Sequence, residues 1–328
     1  MRYPKFQAWS RLAMTAVFSI ATLLCAAHAQ AQYPSRTIKI VAPNQAGTGP
    51  DALARLLAAS VSASLGQSVV VENKVGANGN IAADFVAKAP ADGYTLLVAS
   101  DAQMVINPHV YAKLPFNPLS DLAPVATLGS QELFLAINPA LPANNLKEFI
   151  ELAKRSPTPL NYGSPSSGTQ HHLLMEMLKT RTGVNLQHIP YKGGGAAAVA
   201  AVSGEISVLF GGTSLLPLAQ SGRLKMIASS GARRSTEFPD VPTIAETLPG
   251  FEGVLWIGLF APAATPPEVL TALRGAVQKF LGSADATAKL MAQGFSPYVT
   301  SPEDFRELIK RDYAKYGQLV KASGVKFD

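Results

Sequence analysis

Hydrophobic and polar positions follow two different periods along this chain, and the change from one to the other marks strand–loop–helix units. Residues 37–42 are rich in β-branched and apolar side chains, whereas Leu53, Leu57, Val61 and Leu65 recur at helical spacing. The intervening segment, 43–51, is rich in glycine and polar residues. The pattern predicts a strand, a loop and a helix in that order.

The same alternation continues along the chain. Further strands are predicted at 68–72, 94–99, 133–137, 160–163, 187–190 and 206–210, and further helices near 81–88, 146–155, 173–181 and after the glycines at 193–195. Such alternation favours an α/β architecture with parallel sheets. Small or hydroxyl residues follow five of the strands, and ligands of open α/β sheets bind outside the carboxyl ends of strands. These five loops are the candidate ligand contacts.

The first loop, 43–51, has the features of an anion site. The first N–H groups of a helix lack intrahelical partners, Pro50 suits an early helical position, and Thr48 and Asp51 have the spacing of a capping box. Gly47, Gly49 and Ala52 also satisfy a loose dinucleotide fingerprint, with Glu72 as the acidic residue. The Lys-Ser/Thr of a phosphate loop is absent, so nucleotide binding is the weaker of the two hypotheses.

The N-terminal segment, 1–31, has the pattern of a secretory signal. Basic residues precede an apolar run at 12–27, and small-residue cleavage motifs end at Ala29 and Ala31. The run is shorter than the ~20 apolar residues of a membrane-spanning helix. We expect cleavage near Ala31 and a periplasmic protein. Cys25, the sole cysteine, lies inside this segment, so the mature chain has none and relies on its core rather than on disulfides.

The charge pattern gives little support to a nucleic-acid partner. The formal net charge of +6 includes three basic residues of the signal, and the remaining Lys and Arg residues are scattered. They form no basic stripe interleaved with aromatic residues. We expect no nucleic-acid binding.

Candidate catalytic groups are few. His171 and His172 lie on different sides of a predicted helix without a cysteine or a second spaced histidine, so we expect no metal site and no cofactor. One of them is expected to serve as a cap or a ligand contact. The serines at 164–167 lack a Gly-x-Ser-x-Gly elbow and are more typical of caps and ligand donors. Tyr162 and Trp256 are large aromatics that favour the core over a site.

Ordered motifs along the chain resemble those of the substrate-binding receptors of tripartite tricarboxylate transporters, also called Bug receptors. The motifs are Tyr33-Pro34-Ser35-Arg36, Ala46-Gly47-x-Gly49-x-Asp51, Val70-Val71-Glu72-Asn73, Ala91-Asp92-Gly93-Tyr94, Asn161-Tyr162-Gly163-Ser164, Pro190-Tyr191-Lys192-Gly193, Asp240-Val241-Pro242-Thr243 and Trp256-x-Gly258. They cover essentially the whole mature chain.

The resemblance implies an α/β fold of the two-domain periplasmic-binding-protein type. This Venus flytrap, type II-like fold has two mixed, mostly parallel sheets. One ligand-binding lobe would comprise residues 32–126 and 256–328, and the other residues 127–255. The crossings near 122–129 and 253–260 would be hinges, and the lobes would close on a ligand between them.

The resemblance also implies a function and a set of site residues. A monomeric receptor would capture a small organic carboxylate and deliver it to a membrane permease, without covalent chemistry. A ligand sensor for a membrane signalling kinase, or an exported enzyme, are the alternatives. The expected ligand-binding residues are Asn44, Gln45, Ala46, Gly47, Thr48, Ser100, Gln103, Ser164, Ser166, Ser167, Gly168, Thr169, His172, Gly211 and Gly212.

Two departures from the family pattern bear on the ligand. Gly211 and Gly212 stand where many relatives have Asp-Asn, which removes a carboxylate that could pair with an amine and predicts extra room. A bulkier, amine-free dicarboxylate follows, with an aromatic acid such as phthalate or terephthalate favoured over citrate-like acids. Asn44 and Gln45 stand where relatives often have Phe-Pro, and their amides could reach a carboxylate or a bound water.

Overall fold

The computed structural model describes residues 33–235 and 238–326. Both of its sheets lie in one structural unit that begins at Thr37. The predicted signal segment, residues 1–31, lies outside the described residues, so its cleavage near Ala31 stays a prediction.

Seven strands of the described chain match predicted strands, with shifts of one or two residues at their ends. The strands are β1 Ile38–Ala42, β2 Val69–Asn73, β3 Thr95–Ser100, β4 Leu122–Glu132, β5 Phe134–Ile137, β6 Leu160–Ser164, β7 Leu186–Pro190, β8 Val208–Gly211, β9 Lys225–Ser229, β10 Val254–Pro262 and β11 Ser296–Pro297. Of the remaining four, β4 and β10 lie at the expected crossings, and β9 and β11 were not predicted.

The helices connect these strands. They are α1 Gly49–Leu65, α2 Asn80–Ala87, α3 Asn107–Val110, α4 Leu146–Arg155, α5 Gln170–Thr182, α6 Gly194–Ser203, α7 Leu216–Gln220, α8 Pro267–Leu281, α9 Ala284–Ala292 and α10 Pro302–Ser323. A π-helical segment, Ala102–Ile106, follows β3, and short 3-10 turns lie at Ala77–Gly79, Thr213–Leu215 and Ile244–Glu246.

Two mixed sheets form, as the sequence predicts. The first has the order β11-β4-β10-β3-β1-β2, and the second has the order β7-β6-β8-β5-β9. The expectation of mostly parallel sheets needs correction, because five of the nine strand pairings in the described structure are antiparallel. All five involve β4, β5 or β10, the strands in which the chain crosses between the sheets.

The crossings lie close to the predicted hinges. The chain leaves the first sheet at the end of β4, enters the second at β5, and returns through β10. Residues 127–132, which the predicted division assigned to the second lobe, pair with β10 in the first sheet. β4 and β10 therefore form an antiparallel ribbon within the first sheet.

Large apolar side chains fill a core beside each sheet. Trp256 belongs to the core of the first sheet and is 1% exposed, and Tyr162 belongs to the core of the second and is 0% exposed. Both are core residues, as the sequence favours. Helix α5 contributes Leu173 to the first core and Leu174 to the second, so it packs against both.

Across the described residues, no helix combines the length and the apolar character needed to cross a membrane.

Candidate functional site

The sheet topology groups the predicted site loops in pairs. β1 and β3 are parallel neighbours, so the residues that follow them lie at the same edge of the first sheet. β6 is likewise parallel to β7 and β8 at one edge of the second sheet. Each sheet therefore brings its own predicted loops together at the carboxyl ends of its strands.

The loop between β1 and α1 is closed by bonds that differ from the predicted capping box. The Thr48 hydroxyl donates to the carbonyl oxygen of Gln45 at 2.8 Å, and the side chain makes no cap bond to the helix. Asp51 accepts instead from the amide of Gly47 at 2.9 Å. Gly47 has a φ of +83°, the left-handed region that favours glycine, and this turn directs its N–H back towards the helix. The capping-box prediction is wrong.

Asp51 serves as an internal anchor for this loop. It is 1% exposed, and its carboxylate accepts from Arg55 Nε at 3.0 Å and from Asn73 Nδ2 at 2.7 Å. Burial alone would raise its pKa, but the hydrogen bonds from Arg55, Asn73 and Gly47 together outweigh burial and hold the pKa below its ordinary value. The carboxylate is thus ionised, and its hydrogen bonds are made to other residues of the chain.

Glu72, the acidic residue of the dinucleotide hypothesis, also forms ion pairs with other side chains of the chain. Its carboxylate lies 2.6 Å from Lys39 Nζ and 2.7 Å from Lys74 Nζ. These partners leave the fingerprint without the free acid that a ribose would need.

Other predicted residues of the first loop remain open to a ligand. Gln45, Ala46 and Gly47 are exposed, while Asn44 and Thr48 are half-buried. The side-chain amides of Asn44 and Gln45 make no hydrogen bond within residues 33–235 and 238–326, although their backbone carbonyls accept from Asn73 and Thr48.

Ser100 and Gln103, after β3, are largely occupied by each other. Gln103 Oε1 accepts from the Ser100 amide at 2.9 Å, and its Nε2 donates to the carbonyl oxygen of Asn78 at 2.8 Å. Gly79 permits this arrangement, because a Cβ there would lie 2.5 Å from Gln103 Nε2. Gln103 is 4% exposed, so it positions the loop from within.

The loop between β6 and α5 is also internally bonded. The Gly168 amide donates to His172 Nδ1 at 3.0 Å, and Gly168 has a φ of +69°. Ser164 is 0% exposed, and its hydroxyl donates to the Ser166 carbonyl oxygen at 2.8 Å. The Thr169 hydroxyl donates to the same carbonyl at 2.9 Å. His172 is therefore the histidine that acts as a cap, one of the two roles expected from the sequence.

The hydroxyls of Ser166 and Ser167 differ from those neighbours. Ser166 is exposed and Ser167 is half-buried, and in the described chain neither hydroxyl makes a hydrogen bond. They are the side-chain donors that this loop leaves for a ligand.

The extra room predicted at Gly211 and Gly212 is not present. A Cβ at Gly211 would lie 2.5 Å from Leu215 Cδ1, and one at Gly212 would lie 2.5 Å from Gln131 Nε2. The space that a side chain at Gly211 or Gly212 would take is thus filled by Leu215 and Gln131. This corrects the volume argument for a bulky ligand.

A cavity of ≈ 830 Å³ opens between elements of the two sheets. Its walls contain none of the predicted site residues, but they include residues that directly follow Thr48 and Gly212. The lining residues are Gly49, Pro50, Gln131, Thr213, Ser214, Leu216, Pro217, Phe238, Met291, Ala292, Gln293, Gly294 and Phe295.

Several of these lining residues were missed from the sequence. Gln131 lies near the end of β4, in the crossing between the sheets, and its Nε2 donates to the Gly294 carbonyl oxygen at 2.9 Å. Phe238 packs edge-to-face on Phe134 at a ring distance of 5.3 Å. Phe295 precedes the short strand β11. None follows a βα strand, so the strand-end rule does not find them; a polar side chain within a predicted crossing is the signal that points to Gln131.

Elements of the two sheets also meet away from the cavity lining, through α5 and α10. Gln170 Nε2, at the start of α5, donates to the Tyr316 hydroxyl at 2.8 Å, and Trp256 Nε1 donates to Asp312 at 3.0 Å. Asp101 is buried nearby. Its burial, assisted by the charge of Asp312, raises its pKa to about 8.

Two mixed α/β sheets, joined by crossing strands and facing each other across a cavity, define the class of two-lobed solute-binding proteins. A family model described as the tripartite tricarboxylate transporter family receptor matches residues 53–325. The chain belongs to this family.

Three relatives illustrate the match. Protein BugT of Bordetella pertussis is 35% identical over 319 residues, which cover 96% of this chain and 98% of BugT. The structure of R. palustris Rpa4515 with adipate has a TM-score of 0.79 and 34% identity, and the match covers 89% of this chain and 98% of that one. The structure of MatC from Rhodopseudomonas palustris with bound malate has a TM-score of 0.76 and 29% identity, with 88% and 100% covered. These findings confirm the resemblance and the fold class.

Proposed function

We propose that this chain is a periplasmic receptor that captures a small organic dicarboxylate between its two sheets and delivers it to a tripartite tricarboxylate-type permease. The receptor is monomeric after cleavage near Ala31. Its lobes correspond to residues 32–126 with 256–328 and to residues 127–255, and they turn about the β4–β10 ribbon. Family membership supports the receptor role, and the cavity supports the choice of ligand class.

The observation that carries the proposal is the composition of the cavity wall. The ≈ 830 Å³ cavity is lined by residues from the start of α1 on one side and by Thr213 and Ser214 after β8 on the other. Its described lining residues are uncharged. A carboxylate there would meet backbone amides and hydroxyls rather than a buried cation.

Neutral donors suit reversible capture of an anion. The first amides of α1 carry the positive end of the helix dipole and precede the first intrahelical hydrogen bond, which Ala52 donates to Thr48. A buried arginine would lose its hydration each time the lobes closed, at a cost of several kcal/mol. Amides and hydroxyls avoid most of this cost.

A dicarboxylate fits this arrangement best. Rpa4515 was solved with adipate and MatC with malate, and both acids carry a carboxylate at each end. In this chain the open side-chain donors are divided between two loops, with Asn44 and Gln45 on the first sheet and Ser166 and Ser167 on the second. These four residues lie outside the cavity lining, so closure of the lobes would have to bring their loops to the ligand, one loop to each carboxylate.

Within this class we still favour an aromatic acid such as terephthalate or phthalate. The reason is no longer the room predicted at Gly211 and Gly212. Phe238 and Phe295 both line the cavity and give it two aromatic side chains. Aromatic rings pack on each other in offset or edge-to-face geometry and contribute about 0.5–1.5 kcal/mol beyond burial. An aliphatic acid lacks this contribution.

Calorimetric titration tests the proposal. The purified mature protein is titrated with adipate, malate, citrate, phthalate and terephthalate, and with benzoate as the matched acid that has one carboxylate. We expect saturable one-to-one binding of a dicarboxylate and at least tenfold weaker binding of benzoate. Terephthalate or phthalate is expected to bind more tightly than adipate or malate.

A charge variant identifies the site. Ser214→Asp places a negative charge in the cavity wall, whereas Ala59→Asp places the same charge on an exposed position of α1 outside the lining. The first variant is expected to lose binding and the second to retain it. Equal binding by both variants contradicts the site, and tight binding of aliphatic acids without any of phthalates contradicts the aromatic choice.

A further inference from the structure

The loop between β6 and α5 lies on a stack of aromatic and imidazole rings. The His172 and His188 rings are 3.8 Å apart and tilted by only 11°, and the Tyr162 ring lies 4.9 Å from His188 and 6.1 Å from His172. His172 is 5% exposed. The two histidines come from different elements, α5 and β7, so the stack joins the helix to the sheet beneath the loop.

The hydrogen bonds fix where the protons of this stack must lie. Because the Gly168 amide donates to His172 Nδ1 at 3.0 Å, that nitrogen carries no proton. The neutral ring then keeps its proton on Nε2, which lies 4.0 Å from Glu176 Oε1. Protonation of Nδ1 would replace an acceptor by a donor facing the donor of Gly168.

The hydrogen bond of His188 to the loop has the opposite direction, because here the ring donates. The Ser164 hydroxyl donates its one proton to the Ser166 carbonyl oxygen, so His188 Nε2, at 2.7 Å, donates to the Ser164 oxygen. This contact persists whether His188 is neutral or charged. Of the two rings, His172 is therefore the one whose hydrogen bond requires the neutral form.

We propose that His172 is a positioning residue for the ligand loop at 164–169: its unprotonated Nδ1 holds Gly168 in its left-handed turn, and protonation of the ring releases the loop. This inference rests on the proposed function insofar as the loop binds a carboxylate. His172 acts from beneath the loop and needs no contact with the ligand.

Four titratable groups face the His172 ring. Glu176 and Lys179 lie on its own helix and pair at 2.7 Å, His188 comes from β7, and Tyr162 comes from β6. Burial, followed by the charges of His188 and Lys179, lowers the pKa of His172 to about 3. The loop is thus held firmly at neutral pH and is released only in strong acid.

Two variants of similar shape to each other, His172→Asn and His172→Leu, test the hydrogen-bond acceptor for the Gly168 amide. In His172→Asn the side-chain oxygen stands as far from the backbone as Nδ1 does, accepts a hydrogen bond and does not titrate. His172→Leu has nearly the same shape and no acceptor. The readout is the amide signal and the hydrogen-exchange protection of Gly168 without ligand, with Gly183, whose amide donates to Lys179 at the far end of α5, as the internal reference.

The proposal predicts at least tenfold lower protection of Gly168 in His172→Leu and unchanged protection in His172→Asn, with Gly183 constant in both. In the wild type the amide signal of Gly168 should move as pH falls from 5 to 3. In His172→Asn only the smaller shift caused by protonation of the neighbouring His188, whose pKa burial lowers to about 4, should remain. Equal protection in the two variants, or the same titration in wild type and His172→Asn, overturns the proposal. The pH titration compares only the wild type and His172→Asn, so it tests the proposal even where His172→Leu does not fold.

Binding is measured separately with adipate and terephthalate. We expect His172→Leu to bind at least tenfold more weakly than His172→Asn. Equal affinity in the two variants would overturn the role of the loop in binding. A wild type that binds neither acid would contradict the choice of ligands, while the Gly168 measurements would still decide the positioning role.

Discussion

Replacing Tyr162 by phenylalanine removes one hydroxyl from the ring stack beneath residues 164–169 and leaves the ring in place. The side chain is 0% exposed, and its hydroxyl donates to Glu176 Oε1 at 2.5 Å. Lys179 Nζ bonds both oxygens of the same carboxylate, at 2.7 and 3.0 Å. The substitution therefore removes one hydrogen bond of a buried network and leaves the bonds between Lys179 and Glu176 in place.

The size of the effect follows from these partners. A hydrogen bond to a charged group contributes about 1.5–3 kcal/mol to stability. Because Lys179 still pairs with Glu176, the carboxylate is not left alone, and we expect a loss of about 2 kcal/mol in the free energy of unfolding. A loss of this size lowers the melting temperature by about 3 °C in a chain of about 300 residues.

Tyr191 offers a matched control. Its hydroxyl donates to Glu205 Oε1 at 2.8 Å across the same separation of 14 residues, but this pair is exposed. Water replaces the lost hydroxyl there, so Tyr191→Phe should cost about 0.5 kcal/mol or less.

Urea unfolding at pH 7, monitored by far-UV circular dichroism, compares the free energies of unfolding of the two variants with that of the wild type. Our reasoning predicts a clearly larger shift for Tyr162→Phe. Similar losses in the two variants, or a loss below about 0.5 kcal/mol for Tyr162→Phe, would refute the view that this hydrogen bond stabilises the fold through its burial.

Three further predictions concern single residues. Gly212→Ala should cost about 0.5–1.5 kcal/mol, because its Cβ would lie 2.5 Å from Gln131 Nε2 and the flexible Gln131 side chain would have to move and give up its hydrogen bond to Gly294. Gly195→Ala, with open space around it in α6, should stabilise by up to about 1 kcal/mol, and thermal melts that rank the two otherwise refute this. Asp51→Asn should cost about 1–3 kcal/mol at pH 7 and Asp285→Asn, an exposed ion pair, about 0.5 kcal/mol or less. Since the pKa of Asp51 is lowered in the fold, its contribution is present above about pH 4 and is lost in acid, so a cost of Asp51→Asn that is equal at pH 3 and pH 7 is contrary to the account. Burial raises the pKa of Asp101 to about 8, so the fold keeps a proton that the unfolded chain releases above about pH 4; the stability advantage of Asp101→Asn should therefore grow as pH rises from about 4 to about 8, and urea titrations with a constant difference would oppose this.

Much of the fold is predictable from the sequence because local patterns and global packing agree. The helix at 146–155 is found with the predicted ends, since its apolar stripe and its Asn145 cap, which accepts from Glu148 at 2.9 Å, mark the same start. The strand directions are less predictable. An antiparallel crossing strand such as β10 has the same apolar pattern as a parallel one, and only the tertiary path of the chain sets its direction.

The candidate site is predictable only in part, for a related reason. Spacing alone places the loops after β1 and β6, because glycine and hydroxyl residues there follow apolar strands. It does not show that Asp51 occupies the Gly47 amide or that Gln131 fills the space beside Gly212, since these partners are distant in sequence or in an unexpected geometry. The cavity wall combines α1, β4 and the segment before β11, which meet only in the folded chain.

The central claim is that the cavity between the two sheets holds a small dicarboxylate against neutral donors. A crystal structure of the mature protein grown with the tightest-binding acid of the titration panel tests it most directly. The account predicts the acid inside the cavity, with a carboxylate within hydrogen-bond distance of the α1 amides or of the Thr213 and Ser214 hydroxyls. An acid bound outside this cavity, or a carboxylate held by a lysine or arginine side chain, would contradict the account.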